Sequence, residues 1–129
     1  MSGERVVLDS SAILAMMFGE PGGETVPSLL PGCTMSTVNL AEIVTDLVNR
    51  GGDPEGAAET ASQLPVELIA LDRDVALAAG RLRASTSRFG LSLGDRVCLS
   101  LAGKLELPVV TCDTMWRELA IGVDIRLLR

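Results

Sequence analysis

Short runs that are apolar at every position alternate along the chain with longer stretches whose apolar residues return every third or fourth place. The first pattern predicts strands and the second helices. Val6-Val7-Leu8 breaks directly into Asp9-Ser10-Ser11, which reads as a strand buried on both faces, as in a parallel sheet. Residues 12–18 follow as a short buried helix stopped by Gly19 and Pro21, and residues 24–30 as another. Pro31-Gly32 turn the chain into a brief strand, Cys33-Thr34-Met35. Ser36 is placed to cap a helix over residues 37–50, ended by Gly51. Leu40, Ile43, Val44, Leu47 and Val48 form its expected buried face, with Asn39, Glu42 and Asp46 along a polar side.

Asp53-Pro54 opens a small Ala-rich helix to Leu64, and a third strand is expected over residues 66–71. Asp72 caps a helix that turns Val75, Ala78, Ala79 and Leu82 inward, and residues 84–90 read as an irregular polar arm. The next helix starts at Ser92-Leu93-Gly94-Asp95 and runs to Pro108. Val109-Val110-Thr111-Cys112-Asp113 is a fourth strand ending in a carboxylate. A short helix over 115–120 and a last strand over 125–128 close the chain. Strands alternating with helices predict one α/β domain over residues 1–129, a three-layer α/β/α sandwich on a mostly parallel sheet of about five strands.

Composition narrows the chemistry. There is no histidine, which excludes imidazole acid–base catalysis, Ser-His and Cys-His nucleophiles and His-ligated metals. Cys33, Cys98 and Cys112 are odd in number and widely spaced, which argues against a disulfide framework or thiolate zinc site and fits a reducing cytoplasm. No apolar run reaches the roughly 18 residues needed to cross a bilayer, and the segment 6–18, interrupted by Asp9, makes a poor signal peptide. A net charge of −6 and only three aromatic residues (Phe18, Phe89 and Trp116) speak against a general nucleic-acid coat or a stacking platform. Contact with a polyanion would have to be local.

Carboxylate and hydroxyl chemistry is what remains, and four of the seventeen acids stand out. Asp9 and Asp113 end strands; Glu42 lies in the second turn of the helix after the second strand, and Asp95 in the first turn of the helix before the fourth. In a parallel sheet, strand ends and the starts of following helices share one rim, where open α/β sheets bind ligands. Each acid also has a plainer reading. Asp9 and Asp113 could cap helices, Asp95 stands three residues after Ser92 as in a capping box, and Glu42 could be solvated. Four acids on one rim with no base among them would repel. A hard divalent cation held by oxygen, Mg²⁺ with Mn²⁺ as substitute, explains the group most simply.

These segments resemble PIN-domain ribonucleases, and most closely the VapC-like toxins of bacterial toxin–antitoxin pairs. Val7-Leu8-Asp9-Ser10-Ser11-Ala12 is similar to the first motif of that family, and the stretch Ser36-Thr37-Val38-Asn39-Leu40-Ala41-Glu42 to the second. Leu91-Ser92-Leu93-Gly94-Asp95-Arg96-Val97-Cys98-Leu99 is similar to the third, and Thr111-Cys112-Asp113 followed by Trp116 to the fourth. The resemblance implies that Asp9, Glu42, Asp95 and Asp113 form an acidic quartet around Mg²⁺, supported by Ser11, Asn39 and Thr111. It implies hydrolysis of single-stranded RNA, a cognate antitoxin whose segment fills the groove, and a homodimer. Arg96, beside Asp95, and Arg88, in the preceding arm, are the candidate phosphate contacts. Two other strand-end-Asp chemistries fit less well. A haloacid-dehalogenase-type phosphatase needs a second Asp where Ser11 stands. A receiver domain needs a strand-end lysine, and the sole lysine, Lys104, falls inside a helix. A non-catalytic binding module on the same fold is the remaining alternative.

Overall fold

The computed structural model describes residues 4–129; of the domain expected over 1–129, residues 1–3 lie outside the described residues. Five strands, β1 (Val6–Leu8), β2 (Cys33–Ser36), β3 (Glu67–Ile69), β4 (Val109–Thr111) and β5 (Ile125–Leu127), form one sheet in the order β3-β2-β1-β4-β5, with every pairing parallel. Six α-helices flank it: α1 (Ser10–Phe18), α2 (Val26–Leu29), α3 (Thr37–Asn49), α4 (Pro54–Ser62), α5 (Arg73–Thr86) and α6 (Leu93–Leu105). β1, β2 and β4 are buried throughout, as their unbroken apolar runs require, while β3, paired on one side only, is short and largely exposed. One apolar cluster packs under α1 and α3 around Leu8, Ile13, Met35 and Ile43. The other packs under α5 and α6 around Val7, Ala79, Val97, Leu99 and Trp116. The apolar pattern reads the three-layer architecture correctly.

The chain leaves β1 toward β2 on one side and returns from β3 to β4 on the other. The order therefore reverses between β1 and β4, and the crevice beyond their carboxyl ends is where such sheets bind ligands. Asp9 and Asp113 follow the ends of those two strands, and the Asp9 N–H donates to Val110 O at 3.0 Å.

Three expectations need correction. Residues 84–90 are not an irregular arm: α5 continues to Thr86, and Ser87–Phe89 is a 3₁₀ turn. Thr86 looks polar, but it is buried and its hydroxyl donates to Leu82 O at 2.7 Å, so the helix satisfies it internally. The strand expected over 66–71 contracts to Glu67–Ile69, since an edge strand has only one ladder to extend it. Val48, assigned to the buried face of α3, is exposed, whereas Asn39, assigned to the polar side, is fully buried.

Antiparallel pairing of α5 and α6 solves the placement of Asp95. Lys104 in the last turn of α6 meets Asp72 at the start of α5 at 2.5 Å, and Arg96 in the first turn of α6 donates to Ala79 O of α5 at 2.9 Å. The start of α6 then faces α3, where Asn39 Nδ2 donates to Gly94 O at 3.2 Å.

Gly23 shows how closely the other layer is packed. A Cβ there would run into the backbone of Ala15 and Met16 at the end of α1, atoms that cannot swing aside. Gly23→Ala is expected to cost about 1–3 kcal/mol by overpacking and to lower the melting temperature by several degrees in a circular-dichroism melt. An unchanged melt would mean that the loop slides away from α1 freely.

Candidate active site

Asp9 is 2% exposed, and its side chain does not cap α1. Its Oδ2 instead accepts from Ser11 Oγ at 2.7 Å and from Thr111 Oγ1 at 2.9 Å. Each of those hydroxyls has a single proton, spent on Asp9, and uses its lone pairs to accept a backbone N–H. Ser11 Oγ takes Cys112 N–H at 3.0 Å, and Thr111 Oγ1 takes Asp113 N–H at 3.1 Å. Two short relays thus tie the end of β4 to the carboxylate that ends β1. The other oxygen, Asp9 Oδ1, is buried with no hydrogen-bond partner among the described residues.

The other three acids repeat this division of labour. Glu42 Oε1 accepts from Asn39 Nδ2 at 2.8 Å and from Ser10 Oγ at 3.1 Å. Asp95 Oδ2 accepts the Ser92 N–H at 2.9 Å while Ser92 Oγ accepts the Asp95 N–H at 3.1 Å, a complete capping box. Asp113 Oδ1 accepts the Met115 N–H at 3.0 Å. One oxygen of each carboxylate is anchored to the scaffold and the other has no protein partner among the described residues. Capping and clustering are therefore not alternatives for Asp95 and Asp113; they occupy different oxygens of one group.

Electrostatics link the four. Burial lifts the Asp9 carboxyl from 3.8 to about 6; the charges of Asp95 and Glu42 push the same way, against the Ser11 and Thr111 hydroxyls. Asp95 is also raised, first by burial, with Glu42 and Asp113 adding like charge. Cys98 lies beneath them, and burial, then the field of Asp9, Asp95 and Glu42, holds its thiol well above the ordinary value. The four carboxylates offer oxygen donors alone.

Among the described residues, no group of three or more acidic or thiol side chains stands close enough together to hold a metal ion as it is. The fit to a hard cation rests instead on the free oxygens, the orphaned Asp9 Oδ1 above all, and on their unbalanced charge. That donor set suits Mg²⁺ or Mn²⁺.

The structure brings Ser11, Asn39 and Thr111 to the acids but treats the two arginines differently. Arg96 spends Nη1 on Ala79 O, and its Nε is buried without a partner. Arg88 lies over the Phe89 ring, 4.8 Å from the centroid, and forms no ion pair among the described residues. Two contributors escape a reading of the sequence alone. Ser10, next to Asp9, bonds Glu42 across the crevice, and Gly94 lies so close to Glu42 that a Cβ would overlap its carboxylate. The only sequence signal for Gly94 is its place beside Asp95 in a first helical turn, where a glycine costs helix stability.

Comparison with known proteins adds an independent line. Residues 6–122 match the PIN domain family. Ribonuclease VapC of Mycolicibacterium smegmatis is 33% identical over 106 residues, covering 75% of this chain and 81% of that one. The toxin–antitoxin structure of DNA-bound VapBC from Salmonella typhimurium superposes with a TM-score of 0.74 at 21% identity, over 98% of this chain and 99% of the other. VapC20 of Mycobacterium tuberculosis, described as a sarcin-ricin loop cleaving toxin, gives 0.71 at 16% identity, over 92% and 98% of the two chains.

Proposed function

The chain belongs to the PIN-domain family, in its VapC-like ribonuclease branch, and from that premise we propose a Mg²⁺-dependent endoribonuclease acting on single-stranded RNA. The observation that carries the reading is Asp9. A buried carboxylate with one orphaned oxygen, facing the charges of Asp95 and Glu42, is stable only beside a cation or a proton. Asp9, Glu42, Asp95 and Asp113 would hold Mg²⁺, with Mn²⁺ as a substitute, through their free oxygens.

When bound, that ion lowers the pKa of a coordinated water and offsets charge developing on phosphate oxygens. The protein's own residues do the rest. Ser11 and Thr111 fix the Asp9 carboxylate to the end of β4, so its geometry is set before substrate arrives. Asn39 and Ser10 hold the Glu42 carboxylate toward the crevice. The Ser92 N–H fixes Asp95 Oδ2 at the start of α6 and would leave Oδ1 for the ion; as the attacking water oxygen joins phosphorus an ester P–O bond breaks, the proton of the water ending on the leaving oxygen. Arg88 is the freer of the two arginines to meet a phosphate; Arg96 already spends an Nη1 donor on Ala79 O, and its Nε is buried.

As a toxin the protein would work in the cytoplasm, held by a cognate antitoxin whose segment fills the groove beside the acids. No helix among the described residues is long and apolar enough to cross a membrane. A homodimer goes with this reading; the exposed Leu68, Leu71 and Leu77 of the β3–α5 region are apolar surface a second copy would cover, and sedimentation equilibrium reads it.

Cleavage of a fluorescent single-stranded RNA should fall to background in excess EDTA and return on adding excess Mg²⁺ or Mn²⁺. Activity that survives chelation would sink the metal-dependent reading, and a metal-loaded protein that cleaves no RNA would leave a binding module on the same fold.

A further inference from the structure

A groove of about 560 Å³ opens directly off the acids, between α1, α3 and the first turn of α6, and shares Glu42 with them. Leu14, Val38 and the exposed Leu93 give it apolar walls, and Asp46 and Asn49 stand farther along α3. Among the described residues no lysine or arginine lines it. The nearby Arg50 is already engaged, with Nε on Asp46 Oδ2 at 2.7 Å and its guanidinium over the Phe18 ring. A phosphate placed here would meet carboxylates and no counter-charge. A strand whose scissile phosphate lies on the acids must nevertheless put its neighbouring nucleotide within reach of this space.

We propose that the groove is a nucleobase subsite, taking the base next to the cleaved bond and favouring one with an exocyclic amino group, cytosine above uracil. The proposal rests on the ribonuclease reading. The space is ample for a planar base, lying in the range of small-ligand pockets, roughly 300–1,000 Å³. Glu42 Oε2 and Asp46 Oδ1 have no protein donor among the described residues, and carboxylates accept well from the N4 amine of cytosine. The Asn49 amide, also without a partner among the described residues, offers a donor to a ring acceptor. Leu14 and Leu93 supply the apolar contact that a chain so poor in aromatic residues cannot supply by stacking. Uracil carries a carbonyl where cytosine carries its amine and an N3–H where cytosine carries a ring acceptor, so a carboxylate at position 4 meets an acceptor and the Asn49 donor loses its partner at N3.

Two measurements test this on the full chain in Mg²⁺. In an NMR titration, cytidine 5′-monophosphate should shift the amides of Leu14, Thr45 and Asn49, with uridine 5′-monophosphate binding about tenfold more weakly, the lower end of one good base contact. In cleavage assays, oligonucleotides differing only by cytosine or uracil beside the cut should differ in kcat/KM by a similar factor, and Asn49→Ala should bring the two toward parity. Equal binding of both nucleotides, or shifts confined to other regions, overturns the proposal. So does a groove that ignores both nucleotides and responds only to a basic, leucine-containing peptide, since that assigns it to a protein partner. If the cytidine nucleotide binds as described while no RNA is cut, the ribonuclease reading fails and the base pocket stands.

Discussion

Asp9→Asn is expected to abolish cleavage, by at least about a thousandfold as for removal of a principal electrostatic group, and at the same time to leave the metal-free protein no less stable at neutral pH. The substitution is nearly isosteric. The Asn carbonyl oxygen can replace Oδ2 and keep the bonds from Ser11 and Thr111. What disappears is a buried negative charge whose carboxyl has been lifted from 3.8 to about 6 by burial and by the charges of Asp95 and Glu42. A folded-state value above the unfolded one means the folded protein binds the proton more tightly. Between pH 3.8 and about 6, wild-type stability therefore falls as pH rises, by about 3 kcal/mol. Above that window the loss is complete. The new amide, placed at the orphaned Oδ1 position, gives back about 1–3 kcal/mol as an unsatisfied donor.

The difference between variant and wild type is accordingly a function of pH. In EDTA, the melting temperature of Asp9→Asn relative to wild type should climb from pH 4 to pH 6 and then level off. Adding Mg²⁺ at pH 7.5 should raise the wild-type melting temperature and leave that of the variant nearly unmoved, because only the intact site gains ligand free energy. A relative stability that is flat across the window would show that Asp9 carries no excess charge burden, and the case for a cation there would lose its main support.

Much of this site is visible in the sequence because its parts are local. A strand running from Val6 to Leu8 into Asp9, and another from Val109 to Thr111 ahead of Asp113, declare themselves by apolar runs that end in carboxylates. The capping box at Ser92 and Asp95 is likewise a short-range signal. The unreadable parts depend on which face of one helix meets another. Asn39 falls on the polar side of α3 by periodicity, yet that side is where α6 arrives, and the amide becomes a buried bridge between Glu42 and Gly94 O. Arg96 adjoins Asp95 in sequence, but helical geometry sends neighbouring side chains to different faces, and its guanidinium goes to α5. Helical continuity through Thr86 is hidden for a similar reason, since a hydroxyl that satisfies itself on Leu82 O looks polar and behaves as core.

Gly94→Ala should separate catalysis from stability more sharply than any other single change. A Cβ at this position overlaps the Glu42 carboxylate, so that group must move. It can move, being the far end of a flexible side chain rather than backbone. In moving it gives up the bonds from Asn39 Nδ2 and Ser10 Oγ, worth about 1 kcal/mol each at part-buried positions. Replacing glycine by alanine inside a helix returns about 1 kcal/mol through propensity. The two contributions leave a net cost near 1 kcal/mol, a melting-temperature shift of only a few degrees. Catalysis has no such compensation, because a ligand displaced by an ångström can cost about a hundredfold in rate. The expected result is a folded, cooperative protein with kcat down by about that factor and a weakened Mg²⁺-induced rise in melting temperature. Combining Gly94→Ala with Glu42→Ala should cost little more activity than Glu42→Ala alone, since the smaller side chain clears the overlap and the carboxylate is already gone. Full activity in Gly94→Ala would show that the Glu42 carboxylate need not lie where Ser10 and Asn39 hold it, and additive losses in the double variant would show that Gly94 acts through something other than Glu42.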